Sequence, residues 1–165
     1  GGIRMTKEIL PKLLQSRHAF IVNIASMAGL KGAPGMCAYA TSKFGMVGFS
    51  EALAIELQGR VGICTVCPTF IKTDIANNTI FSQSTADKER SQRVGVMNTL
   101  LSMIGSNPRT VSKIILRAIK DKKKFVLVNP DAYLIYYLNR FFPRLSDALV
   151  LMAYRKMLQA GVIDL

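Results

Sequence analysis

The stretch NIASMAGLKGAPGMCAYATSK (23–43) sets a serine, a tyrosine and a lysine at intervals that suit proton chemistry. Ser26 closes an apolar run, Tyr39 comes 13 residues later, and Lys43 follows Tyr39 by four. A free phenol, with a pKa of about 10, is nearly all protonated at neutral pH. An ammonium beside it favours the phenolate, so a Tyr–Lys pair can exchange a proton with an oxygen near working pH. A serine hydroxyl alongside can hydrogen-bond that oxygen, carbonyl or alcohol, and fix its orientation. None of the three groups accepts a hydride, so redox chemistry here requires a cofactor.

The elements around them are predicted from apolar patterning. AFIVNIAS (19–26) and VGICTVCP (61–68) are short continuous apolar runs of the kind buried parallel strands show, and KFVLVN (124–129) makes a third. Residues 1–17 form a helical pattern that Pro11 should bend, and LKGAPG (30–35) is loop. From Ala38 to Gln58 the pattern is helical, with Ala40, Gly45, Gly48 and Ala52 making a small-residue surface for close packing. Residues 73–84 read as irregular and 86–104 as helix. After Asn107 and Pro108, the stripe Val111, Ile114, Ile115, Ala118 and Ile119 predicts an amphipathic helix. Helical segments then run to about Leu158. Strand alternating with helix is the pattern of an α/β fold, a parallel sheet with helices on its faces.

In that fold the positions converge. Ser26 falls at the carboxyl end of a strand, where open parallel sheets bind their ligands. Tyr39 and Lys43 begin the next helix, four apart and therefore on one face.

Bulk composition narrows the function classes. The 165 residues suffice for one core, half are hydrophobic and 19% are charged, which excludes disorder. Twenty-two basic and 10 acidic residues leave a formal charge of +12, compatible with an anionic cofactor or an anionic membrane surface. The basic residues are scattered apart from KDKKK (120–124), read as a solvated loop, and no RNA-binding aromatic motif accompanies them. Nucleic acid is therefore not expected as a partner. Three cysteines are too few and too odd in number for a disulfide scaffold. Cys64 and Cys67 sit three apart on a strand and face opposite ways, so no metal site is expected. No uninterrupted apolar run of about 20 residues predicts a membrane span. The richest segment, 132–154, mixes aliphatic, aromatic and basic residues and reads as core or a subunit contact, with a bilayer surface as the alternative.

With these residues in view, the chain resembles the C-terminal part of a short-chain dehydrogenase/reductase. The resemblance rests on IVNIAS ending in Ser26, YATSK supplying the family's Y-x-x-x-K at Tyr39 and Lys43, and CPTFIKTDI (67–75) after the next strand. It covers about residues 1–130. It implies that Tyr39 is the general acid/base, that Lys43 assists it while holding the nicotinamide ribose, and that Ser26 positions the substrate oxygen. The family's P-G-x-x-x-T segment, which cradles the nicotinamide carboxamide, maps onto Pro68, Ile71 through its backbone, and Thr73. Thr69 stands where the family has Gly, a residue that takes positive φ cheaply.

The resemblance implies a Rossmann-like sheet with helices on both faces. The family's glycine-rich dinucleotide turn, its N-A-G segment and its catalytic Asn are expected before Gly1. Residues 1–165 are thus expected to be the C-terminal part of a single NAD(P)-binding domain with its N-terminal half absent. A substrate lid would span about 75–104 and C-terminal helices about 131–160.

The expected function is interconversion of an alcohol and a ketone or aldehyde with NADP(H) or NAD(H), the basic balance favouring NADP. The apolar character of 75–104 points to a steroid-, retinoid- or fatty-acyl-like substrate. A catalytically incomplete fragment serving as a binding or interaction module is the alternative. A homodimer or homotetramer is expected through the opening helix and helix 38–58, in the cytoplasm or peripheral to an intracellular membrane.

Overall fold

Two parallel strand pairings organise the core. The structure, a computed structural model, describes residues 1–75, 77–78 and 87–159, without the side chains of 87–90, 92, 93 and 100. β1 (Phe20–Ile24) pairs in parallel with β2 (Gly62–Cys67), in register from Phe20–Gly62 to Ile24–Val66. β2 pairs in parallel with β3 (Phe125–Leu127), so the sheet order is β1-β2-β3. The central strand explains its continuous apolar sequence: from Ile63 to Cys67 every residue is buried, Thr65 included. β1 alternates instead, with Ile21 and Asn23 buried and Phe20, Val22 and Ile24 more open. Its inward residues face the helices that cover it.

Those helices are α1 (Gly2–Leu13) and α2 (Cys37–Glu56). Ile21, Leu53, Leu57, Val61 and Ile63 form one buried cluster, with Leu10, Leu13 and Phe49 packed against it. α1 carries Pro11 within it and runs on to Leu13. α2 ends through Gln58 and Gly59, both at positive φ, the left-handed conformation that stops helices and that Gly adopts without penalty. Of the predicted small-residue surface, Ala40 is buried, whereas Gly45, Gly48 and Ala52 remain on the exposed side.

The chain divides into two compact units. The first, Gly1–Thr69 with Arg109–Tyr136, holds the sheet, α1, α2 and nearly all of α4 (Pro108–Lys120). Val111 and Ala118 of the predicted stripe are buried, and Ile114, Ile115 and Ile119 are half-buried. Lys120 of the KDKKK run closes α4, and residues 121–124 are an exposed turn before β3, with Lys122 at φ 51°.

The second unit, Phe70–Pro108 with Tyr137–Leu165, contains α3 (Asp87–Ile104) and α6 (Pro143–Gln159), and α5 (Pro130–Phe141) enters it at Tyr137. Within it, Asn98 donates its side-chain amide to Asn77 Oδ1 at 3.0 Å. Part of the segment expected to form a lid, residues 76 and 79–86, lies outside the described residues.

Candidate active site

In a parallel sheet the carboxyl ends of neighbouring strands share one edge. Ser26 follows β1 on that edge and Pro68 follows β2. They are joined there by backbone: Ala25 N–H donates to the Val66 carbonyl at 2.8 Å, and Met27 N–H to the Pro68 carbonyl at 2.9 Å. Ser26 is buried and caps a 3-10 turn, Met27–Gly29, its Oγ accepting from Ala28 N–H at 3.1 Å. The hydroxyl proton is left to donate elsewhere.

The 3-10 turn sets the approach of α2. At Gly29 a Cβ would meet the backbone of α2, 2.7 Å from the Lys43 carbonyl oxygen and 2.8 Å from its carbon. Only a residue without a side chain lets the helix come this near. Lys43 then reaches back over the turn and donates from Nζ to the carbonyl of Ile24 at 3.0 Å. Tyr39, one helical turn earlier and 40% exposed, holds its ring centroid 5.6 Å from that ammonium. This is within the range where a cation and an aromatic face attract. The phenol, the amine and the serine thus come from a helix and a strand end that pack on each other through Gly29.

A second device fixes α2 along β1. The Asn23 side-chain amide, buried, donates to Ser50 Oγ at 2.8 Å, and Ser50 donates to the Met46 carbonyl at 2.7 Å. Sequence reasoning missed both residues and Gly29. Asn23 carried a signal, because a polar amide at an inward position of an apolar strand must find a partner.

Beneath the site, burial pushes the Cys67 thiol up to about 11. The Ser26 backbone N–H, bonded to the sulfur, opposes the rise, Cys64 adds to it, and the Lys43 ammonium opposes it. Cys64 is likewise raised by burial. Among the described residues no cluster of three or more His, Cys, Asp or Glu side chains could hold a metal ion.

Thr69 takes no left-handed conformation, since among the described non-glycine residues only Gln58 and Lys122 have positive φ. Its hydroxyl donates to Asp131 Oδ1 at 3.2 Å, so the turn after β2 is held by a side chain. Ile71 and Thr73 belong to the second unit. There Ile71 forms a parallel bridge with Ser106, through Lys72 N–H to the Ser106 carbonyl and Ser106 N–H to the Phe70 carbonyl. Ile71's own N–H and C=O therefore point away from Ser106, and its carbonyl accepts from Thr73 Oγ1 at 3.4 Å.

A family model described as short chain dehydrogenase matches residues 1–104. The chain belongs to the short-chain dehydrogenase family. It is 32% identical over 158 residues to dehydrogenase/reductase SDR family member 7B of Bos taurus, a match covering 94% of this chain and 46% of that protein. It is 40% identical over 82 residues to 17-beta-hydroxysteroid dehydrogenase 13 of Homo sapiens, covering 47% of this chain and 27% of that one. Among solved structures, a short chain dehydrogenase/reductase from Burkholderia phymatum in complex with NAD superposes with a TM-score of 0.75 at 23% identity. That superposition covers 87% of this chain and 55% of the other. The parallel sheet expected from the strand–helix alternation and the Rossmann-like fold implied by the resemblance are thereby established, and the family is one of oxidoreductases. The chain spans less than half the length of these two curated relatives. Among the described residues no helix is long and apolar enough to cross a membrane.

Proposed function

We propose that the protein containing this chain is an NAD(P)(H)-dependent oxidoreductase that interconverts an alcohol and a ketone or aldehyde, with Tyr39 as general acid/base. The reading rests above all on Lys43, whose amine is anchored by the Ile24 carbonyl beside Ser26 while its charge lies 5.6 Å from the Tyr39 ring.

The donors suit a nicotinamide nucleotide. Lys43 Nζ has three N–H groups, and the Ile24 carbonyl accepts one. The others and the Tyr39 phenol can hold ribose hydroxyls, and by the family resemblance Pro68, Ile71 and Thr73 take the carboxamide. When bound, the nicotinamide supplies or accepts the hydride. In the reducing direction the Tyr39 phenol gives its proton to the substrate oxygen as negative charge grows there, and in the oxidising direction the phenolate takes it. Ser26 donates a hydrogen bond to that same oxygen and fixes its direction. Lys43 stabilises the phenolate left after proton transfer.

A hydrophobic substrate, steroid-, retinoid- or fatty-acyl-like, is the finer proposal. Its support is a relative named as a hydroxysteroid dehydrogenase, with Val94, Val96, Met97, Met103 and Ile104 in the segment proposed as a lid, about 75–104. NADP is favoured over NAD by the +12 charge. We also propose a homodimer or homotetramer. α2 exposes Phe44, Gly45, Gly48 and Ile55, with open space around both glycines, and α1 exposes Ile3, Met5 and Ile9. The protein is placed in the cytoplasm or at an intracellular membrane surface.

Tyr39→Phe in the full-length protein tests the reading, with a panel of hydrophobic ketones and NADPH. Turnover should fall by about 100-fold or more while NADPH binding is nearly unchanged. Undiminished turnover would refute the role of Tyr39. Cofactor binding without turnover of any carbonyl by the unmodified protein would favour the binding-module reading.

A further inference from the structure

The helix α6 half-buries one apolar stripe and leaves Leu145, Leu149, Leu151, Met152 and Met157 exposed. Ser146 is buried and Val150, Tyr154 and Leu158 are half-buried, spaced by four and so forming the inner stripe. On the opposite side Leu145, Leu149 and Met152 are 52%, 41% and 51% exposed and share one line along the helix. Lys156 continues that line, and Arg144 and Arg155 flank it. The only acid in α6, Asp147, lies beside the inner stripe, on the far side of the helix.

The corner leading into α6 has the same character. Tyr137 and Phe141 stack with ring centroids 6.1 Å apart and are both exposed, as is Phe142. An open hollow of about 420 Å³ is lined by Phe141, Phe142, Pro143, Arg144 and Leu145. One arginine in the lining of an otherwise apolar hollow suits an anionic headgroup above an acyl chain. An exposed aliphatic line whose charged neighbours are Arg144, Arg155 and Lys156, with aromatic rings at one end, is the pattern of a helix lying in a membrane interface. A protein partner matched to this face would have to be acidic and apolar at once, whereas an anionic bilayer surface offers both at any register.

We infer that the outer face of α6, with the Phe141–Phe142 corner, docks the protein on an anionic lipid surface. The inference rests on the membrane-surface placement proposed above and names the face and the headgroup charge. Leu145, Leu149, Met152 and the two phenylalanines enter the acyl boundary, and Arg144, Arg155 and Lys156 meet the headgroups.

The test is co-sedimentation of the full-length protein with phosphatidylcholine vesicles, with and without phosphatidylserine. Pelleting is expected only with phosphatidylserine and should weaken as salt is raised. The double variant Arg144→Gln/Arg155→Gln should bind roughly 25-fold more weakly, since each basic residue at the surface contributes about fivefold. Leu149→Asp/Met152→Asp should abolish pelleting with an unchanged circular dichroism spectrum. If neither vesicle binds the protein, both the face and the membrane-surface placement fall. If phosphatidylserine vesicles bind both double variants as well as the parent, the α6 assignment alone falls. A fall in assembly mass by light scattering in the α6 variants would identify a second copy as the occupant and overturn it too.

Discussion

Lys43 Nζ donates to the carbonyl of Ile24 at 3.0 Å, across the junction between a helix and the end of a strand. The amine is therefore located by the backbone of β1 two residues before Ser26, and not by its own flexible stem. A guanidinium cannot take over this place, because its planar fork is larger and needs a different set of acceptors. Lys43→Arg should lose about as much kcat/KM as Lys43→Met, roughly 100-fold or more, with weakened NADPH affinity in both. Steady-state kinetics with a fluorescence titration of NADPH checks this. Full activity in Lys43→Arg would show that only the charge matters.

The Asn23–Ser50 pair gives a second expectation, through stability. Ser50→Ala leaves the buried Asn23 amide without its acceptor, a loss of about 1–3 kcal/mol. Asn23→Leu alone leaves the Ser50 hydroxyl its bond to the Met46 carbonyl and should cost less. The double variant should be less destabilised than the two single losses added together, because neither group is then orphaned. Urea unfolding of all four proteins measures the coupling. Strict additivity would mean that the pair does not hold α2 against β1.

How much of this was legible from residues alone depends on where each signal lives. The central strand β2 announces itself because both its faces are buried, which favours apolar residues at all its positions but Thr65. The Y-x-x-x-K spacing is a local helical relationship and was readable for that reason. The acceptor for Lys43 was not, since a backbone carbonyl at Ile24 leaves no mark in the sequence. The 3-10 turn at Met27–Gly29 has too few residues to show a period, and its glycine answers to a helix backbone 14 positions away. Asn23 showed that a partner was needed but not that Ser50, 27 positions on, would supply it. The departure at Thr69 looked like a defect in a turn. Its bond to Asp131 depends on a residue 62 positions distant.

Gly29 yields a prediction that joins packing to chemistry. Alanine there places a methyl group 2.7 Å from the Lys43 carbonyl oxygen, so α2 must move away from the strand end. Overpacking of this kind destabilises by about 1–3 kcal/mol. The shift would also carry Lys43 and Tyr39 away from Ser26. Gly29→Ala should lower both the melting temperature and kcat, whereas Gly32→Ala, with open space around its Cβ, should change neither. An active and stable Gly29→Ala protein would mean that the close approach is dispensable.

Cys67 provides a pH test whose sign can be worked out. Burial raises its thiol from 9.0 to about 11 in the folded protein. Between those values the unfolded chain has lost the proton and the folded chain keeps it, so the folded state binds more protons there. Stability then falls as pH rises through that window, and the contribution is complete below about pH 9. Other groups titrate in the same range, so the difference between proteins is the quantity to measure. Cys67→Ala should flatten the decline in unfolding free energy between pH 9 and 11 relative to the parent, measured by urea unfolding at each pH. The same burial should keep Cys67 unmodified by iodoacetamide at pH 8 while the exposed Cys37 reacts. Identical alkaline slopes in parent and variant would mean that the thiol beneath Ser26 ionises as freely folded as unfolded.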